Sequence, residues 1–175
     1  MIVAYGSFGF GYILPATFLP AMARQYFSEP SQFGLVWPLF GLAAVVSTLL
    51  ASRLAREFEP RQVWIAAQLV MAVGVVTPAL SHSLAALLLS AVCVGGTFMV
   101  VTMAGMQQAR QLAYTDSTRL MAAMTAAFAA GQLLGPLTVG PLAHGALAAG
   151  DAVPMAASGV ACAALLIGVA LLFRR

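Results

Sequence analysis

The sequence contains no lysine, and charge of either sign is scarce. Its 8 basic residues are all arginine, and with 5 acidic residues only 7% of the chain is charged. A soluble globular domain carries roughly 25% charged residues. Folding cannot repair that deficit, because a water-facing surface needs polar groups that this chain lacks. Lipid must therefore cover most of the outside. Only 2 cysteines occur. Cys93 and Cys162 fall inside apolar runs, without metal-ligand spacing to a histidine or to each other, and read as small buried apolar residues. Phosphate-loop, metal-ligand and nucleic-acid motifs are also missing. A pump driven by ATP bound to this chain is thereby excluded, and neither a cofactor, a metal nor nucleic acid is called for. The net charge of +3 sits in short loops, where topology explains it better than a polyanionic partner.

Long apolar runs are what the sequence has in quantity, with 62% hydrophobic residues. A helix rises about 1.5 Å per residue, so about 20 apolar residues cross a hydrocarbon core of about 30 Å. Six such runs occur, at about 2–23, 33–52, 63–80, 84–106, 120–143 and 152–173. Barrel strands would alternate in polarity over about ten residues. These runs are longer and do not alternate, and a helix satisfies its own backbone groups in lipid. The expected fold is an all-α membrane protein, one six-helix transmembrane domain over 1–175, with the bilayer as its first partner. Ala21-Met22-Ala23 has the form of a signal-peptide cleavage site. The run before it lacks a basic leader and is broken by Gly6, Gly9, Gly11 and Pro15, so cleavage is not expected.

Orientation follows from the arginines. Arg53, Arg56, Arg61, Arg110, Arg119, Arg174 and Arg175 follow the second, fourth and sixth runs, and only Arg24 lies on the other side. The arginine-rich side, with both chain ends, is expected to be cytoplasmic. Trp37 and Trp64 lie near run ends, where an aromatic belt would place them. The first span starts at Ile2 without a polar flank, as expected of a chain whose natural gene continues upstream of Met1.

Several stretches resemble a known family. Residues 5–20, YGSFGFGYILPATFLP, resemble the seventh helix of YbfB/YjiJ-like transporters, a branch of the major facilitator superfamily. Residues 33–41, FGLVWPLFG, look like the eighth helix, and 95–105, GGTFMVVTMAG, like the tenth. Residues 120–125 and 131–136, GQLLGP, are similar to the eleventh. The resemblance runs in order along nearly all of the chain. It implies a secondary transporter of the bacterial inner membrane, built from two six-helix halves around a substrate cavity, of which this chain is the C-terminal half. The implied partners are a small-molecule substrate and the missing N-terminal half, or a second copy of this chain. One departure stands out. The loop at 52–58, SRLAREF, lacks the glycine and aspartate of the superfamily's usual loop motif and keeps only its basic character.

Substrate sites in such carriers lie near the midplane, where helices at matching positions of a repeat are interrupted by glycine or proline. In a three-plus-three repeat the first and fourth helices correspond, and both are glycine-rich: Gly6, Gly9 and Gly11 in one, Gly95 and Gly96 in the other. Tight packing is the commoner reason for such glycines. Midplane polar groups are few, and they are the candidates for substrate binding: Tyr12, Thr97 and Gln132. Tyr5, Thr17, Thr102 and Gln107 follow, nearer the membrane faces. A buried glutamine amide is costly unless paired, so Gln132 needs substrate, water or an interhelical partner. Thr97 can instead bond its own helix backbone.

Ala123, Ala127, Gly131 and Gly135 recur every four residues, a ridge for close helix approach. Pro136 and Pro141 interrupt the same helix, and Pro136 is a candidate gating position. Arg110 and Arg119 flank the fourth-to-fifth loop and are candidates for an inner gate, against the plainer reading as topology signals. No charged residue lies inside any apolar run. A proton-coupling carboxylate, if one is used, is therefore expected in the other half.

An intramembrane serine protease is the enzymatic rival, with Ser158 as nucleophile and His82 or His144 as base. The serine follows both histidines, the reverse of the rhomboid order, and the chain is read as a non-enzyme. A six-helix membrane scaffold or a dimerising half-transporter is the remaining alternative.

Overall fold

A computed structural model describes the chain apart from residues 27–33, 35, 82, 114–115, 146–151 and 175; the side chains of 18–26, 139–145 and 152–154 also lie outside the described set. Among the described residues six long helices follow one another: α1 (Ile2–Tyr26), α2 (Val36–Glu57), α3 (Pro60–Leu80), α4 (Leu84–Leu112), α5 (Ser117–Gly145) and α6 (Ala152–Phe173). No strand occurs among the described residues.

The helix ends carry recognisable local chemistry. α3 starts at Pro60, which needs no N–H donor in a first turn. α4 is capped by Ser83, whose hydroxyl accepts the Ala86 N–H at 3.2 Å. Helices α2 and α4 continue past their apolar runs to Glu57 and Leu112, so Arg53, Arg56 and Arg110 ride on helical extensions beyond the hydrocarbon. Among the described residues five helices, α2 to α6, are long and apolar enough to cross a membrane, and α1 contributes the apolar stretch Ile2–Thr17. Leu42, Val45, Val46 and Leu49 of α2 are exposed, as are Leu133, Leu134 and Leu137 of α5. In water such surfaces would be unstable. In lipid they are the natural exterior. The chain is an integral membrane protein.

Packing follows a repeat. α1 lies along α5 and α6, α4 lies along α2 and α3, and α3 touches α6. Exchanging the first three helices for the last three maps α1·α5 onto α4·α2 and α1·α6 onto α4·α3, and returns α3·α6 to itself. Each unit has an odd number of spans, so the two units are inverted in the membrane.

Glycine at the two equivalent crossings permits the approach. A Cβ at Gly9 of α1 would collide with the Phe128 carbonyl of α5. One at Gly95 of α4 would stand 2.5 Å from the Phe40 carbonyl oxygen of α2. Gly131 of α5 lies equally close against the Gly6 carbonyl of α1, and Gly135 against Ile13. The small-residue ridge of α5 is thus a packing surface for α1, and Gly6, Gly9 and Gly95 serve close contact with a neighbouring backbone.

One expectation is corrected. Trp37 is half-exposed, as a belt residue is, but Trp64 is fully buried. Trp64 does lie near a helix end, yet it faces inward, where its indole N–H finds an acceptor.

Candidate functional site

Three half-buried rings meet where α1, α4 and α5 converge. Tyr12 and Phe98 have centroids 4.4 Å apart, Phe98 and Phe128 6.3 Å, and Tyr12 and Phe128 6.5 Å. Phe8 lies beneath them, fully buried, 5.1 Å from Phe128 and 5.8 Å from Phe98. Tyr5 extends the cluster toward the arginine-rich end. Its ring is 5.5 Å from Phe8 and 5.7 Å from Trp64, and its hydroxyl lies beside that of Thr102. Spacings of this kind are favourable aromatic contacts. The glycine contacts produce them, because they bring α1 within backbone distance of α5 and so place rings from three helices in one layer.

Gln132 follows Phe128 by one turn and shares its face of α5. It is half-buried, and no hydrogen bond from its amide is found among the described residues. Pro136 stands four residues further on, inside the helix. Proline has no N–H, so it cannot give the Gln132 carbonyl its helical hydrogen bond. Gln132 therefore presents two uncommitted polar groups, an amide and a main-chain carbonyl, next to a floor of aromatic rings. Such a surface can stack a planar or apolar solute and fix its orientation through one or two hydrogen bonds. It holds no charge.

A family model described as "Uncharacterised MFS-type transporter YbfB" matches residues 1–171. The chain belongs to this family of MFS-type transporters. A comparison with curated proteins finds no match.

In this MFS-type chain the other sequence candidates divide by geometry. Thr97 is not part of the aromatic surface. It lines a groove between α2, α3 and α4, and its hydroxyl donates to the Cys93 carbonyl at 2.6 Å. Thr17 and Thr102 likewise bond their own helix, at the Ile13 and Phe98 carbonyls. Helical threonine satisfies itself in this way. Gln107 is half-buried near the arginine-rich end of α4. Arg110 is exposed, and so is Arg119, whose contact with Asp116 at 3.9 Å joins side chains 86% and 69% accessible. A pair so exposed contributes little to stability. Ser158 is half-buried on α6; His82 and the His144 side chain lie outside the described residues. No group of three possible metal ligands occurs among the described residues.

The sequence reading passed over Gln68. It is fully buried on α3, accepts the Trp64 indole N–H at 2.7 Å and donates to the Leu165 carbonyl of α6 at 2.9 Å. Gly168 makes room, since a Cβ there would collide with both the Gln68 amide and the Ser7 hydroxyl. The available signal was a glutamine four residues after a tryptophan within an apolar run. Fully buried, and bonded through both its oxygen and its nitrogen, Gln68 pins α3 to α6 and is not available to a solute.

Proposed function

We propose that the chain is the C-terminal six-helix half of a secondary active transporter of a bacterial inner membrane, with both ends cytoplasmic. The observation that carries this reading is the uncharged surface of Tyr12, Phe98, Phe128 and Gln132, half-open on one side of a repeat-built bundle. A catalytic site is built to shift pKa values and position a nucleophile. This surface has neither task, and it fits a solute that is bound weakly and released. Membership of a transporter family supports the same reading. The arrangement of rings around one amide favours a small, partly apolar or aromatic solute.

This surface closes against a second six-helix unit, the N-terminal half or another copy of this chain. The coupling carboxylate belongs in that unit, because all charge here lies near the ends of the apolar runs. Seven arginines on one side support the orientation.

Uptake and efflux profiling tests the proposal. Vesicles carrying the natural gene product are compared by untargeted mass spectrometry with vesicles carrying Gln132→Leu or Thr97→Val. A solute whose movement falls in the first variant and persists in the second is the expected result. Undiminished transport by Gln132→Leu and Tyr12→Ala, at normal protein levels, rejects the surface as the substrate site.

A further inference from the structure

The ring planes of the aromatic surface nearly agree. Tyr12 is tilted 31° from Phe98 and 26° from Phe128, with centroids 4.4 and 6.5 Å away. A rounded apolar solute gains nothing from near-parallel faces. A flat one gains stacking contact with more than one of them. The surface therefore favours a planar solute over a globular one of equal apolar area.

Its free polar groups are all neutral. The Tyr12 hydroxyl and the Gln132 amide have no hydrogen-bond partner among the described residues. The Gln132 main-chain carbonyl lacks its helical donor, because position 136 is proline. Charge is remote. Arg110 lies twelve residues beyond Phe98, about 18 Å along α4, and Arg119 lies thirteen residues before Gln132, about 20 Å along α5. No charged residue occurs in α1 before Arg24. A solute ion seated on the rings thus meets no counter-ion from this chain, and an ion taken out of water without one is strongly disfavoured.

The amide defines the polar edge. Whichever way it is turned, it sets an acceptor oxygen beside a donor nitrogen. The complement is the same pair reversed, an N–H next to a C=O. Gln132 stands one turn beyond Phe128 on the same face of α5, so this pair meets the rim of a ring lying on the aromatic faces.

Resting on the ring surface as the substrate site, we infer that the solute is a neutral, planar heteroaromatic with a lactam edge. Its ring system stacks on Tyr12, Phe98 and Phe128. Its N–H donates to the Gln132 Oε1, and its C=O accepts from the Gln132 Nε2.

Calorimetric titration of the whole natural gene product, purified in detergent, tests this with four probes on one bicyclic frame. They are 2-quinolone, 1-methyl-2-quinolone, which keeps the C=O but has no N–H, the anion quinoline-2-carboxylate and the cation 1-methylquinolinium. The expected order places 2-quinolone about tenfold tighter than its N-methyl analogue, the scale of one hydrogen bond, with both ions weaker than 2-quinolone. Gln132→Leu, which loses an unbonded group and keeps the fold, should level the two neutral probes. Tyr12→Leu should weaken both neutral probes alike, since it removes a ring face and retains apolar bulk. Equal binding of the two neutral probes by the unaltered protein, tighter binding of either ion, or no binding of any probe overturns the lactam assignment. If the neutral probes bind equally but both weaken in Tyr12→Leu, the ring surface stands as the site and the lactam edge alone falls. If both variants bind all four probes as the unaltered protein does, the ring surface falls as well.

Discussion

Trp64 donates its indole N–H to Gln68 across 2.7 Å, one helical turn away, at a place where both side chains are wholly buried. The same glutamine spends its own N–H on the Leu165 carbonyl of α6, 97 residues along the chain. A single amide therefore ties a tryptophan and two helices. Gln68→Leu strands the indole donor in an apolar interior and is expected to destabilise the bundle by about 1–3 kcal/mol. Gln68→Leu combined with Trp64→Phe removes both partners and should lose less than the two single changes added together. Thermal unfolding of the four proteins in one detergent measures this coupling.

Adjacent glycines should respond oppositely. Gly95→Ala pushes a methyl group into the Phe40 carbonyl and is expected to cost about 1–3 kcal/mol through overpacking. Gly96→Ala meets open space and, with the better helix propensity of alanine, should be neutral or stabilising by up to about 1 kcal/mol. Unfolding midpoints under identical conditions decide it. Similar losses at both positions would show that helix flexibility, rather than the α2–α4 contact, sets the requirement for glycine.

At the aromatic surface, Gln132→Leu removes the unpaired amide and should weaken solute binding by about tenfold, the scale of one or two lost hydrogen bonds. Thr97→Val and Thr17→Val remove hydroxyls that serve only their own helix backbones, and should leave binding unchanged. Titration of solute against intrinsic fluorescence checks all three.

Pro136→Ala returns an N–H to the helix, so the Gln132 carbonyl regains its ordinary partner. Thermal stability should rise and turnover should fall, because the helix gains a hydrogen bond and the uncommitted carbonyl disappears. Stopped-flow or counterflow rates, set beside the unfolding midpoint, test the pair of effects. Faster transport with unchanged stability would remove Pro136 from the gating mechanism.

The all-helical membrane fold was legible because charge starvation and run length are strong signals that local sequence carries alone. So was the role of the α5 ridge, since a spacing of four residues fixes a face whatever lies opposite. Direction within the bundle was not legible. Trp64, near a helix end, matched a belt residue until the packing of α3 against α1 and α6 turned it inward. Gln68 escaped notice for a related reason: its acceptor is a carbonyl on a helix nearly a hundred residues away. Thr97 was read as a midplane group beside Tyr12, but its azimuth around α4 turns it to the groove between α2, α3 and α4, away from the ring cluster. Gln132 stood out in sequence as a polar residue in an apolar run. Its particular chemistry needed the helix to continue through Pro136, which the sequence left open.

The contacts of α1 set an order of events during synthesis. Gly6 abuts Gly131, 125 residues later. At about 5–20 residues per second, the first helix is made roughly 6–25 s before its principal neighbour exists. Through that interval its bare glycine face must lie against lipid or against a helper in the insertion machinery, while α2, α3 and α4 can already assemble with one another. The bundle is therefore closed by its last two helices. A ribosome stalled before α5 leaves α1 held only by its ring contacts to Trp64 of α3 and Phe98 of α4, a loosely anchored helix and a ready target for membrane quality-control proteases.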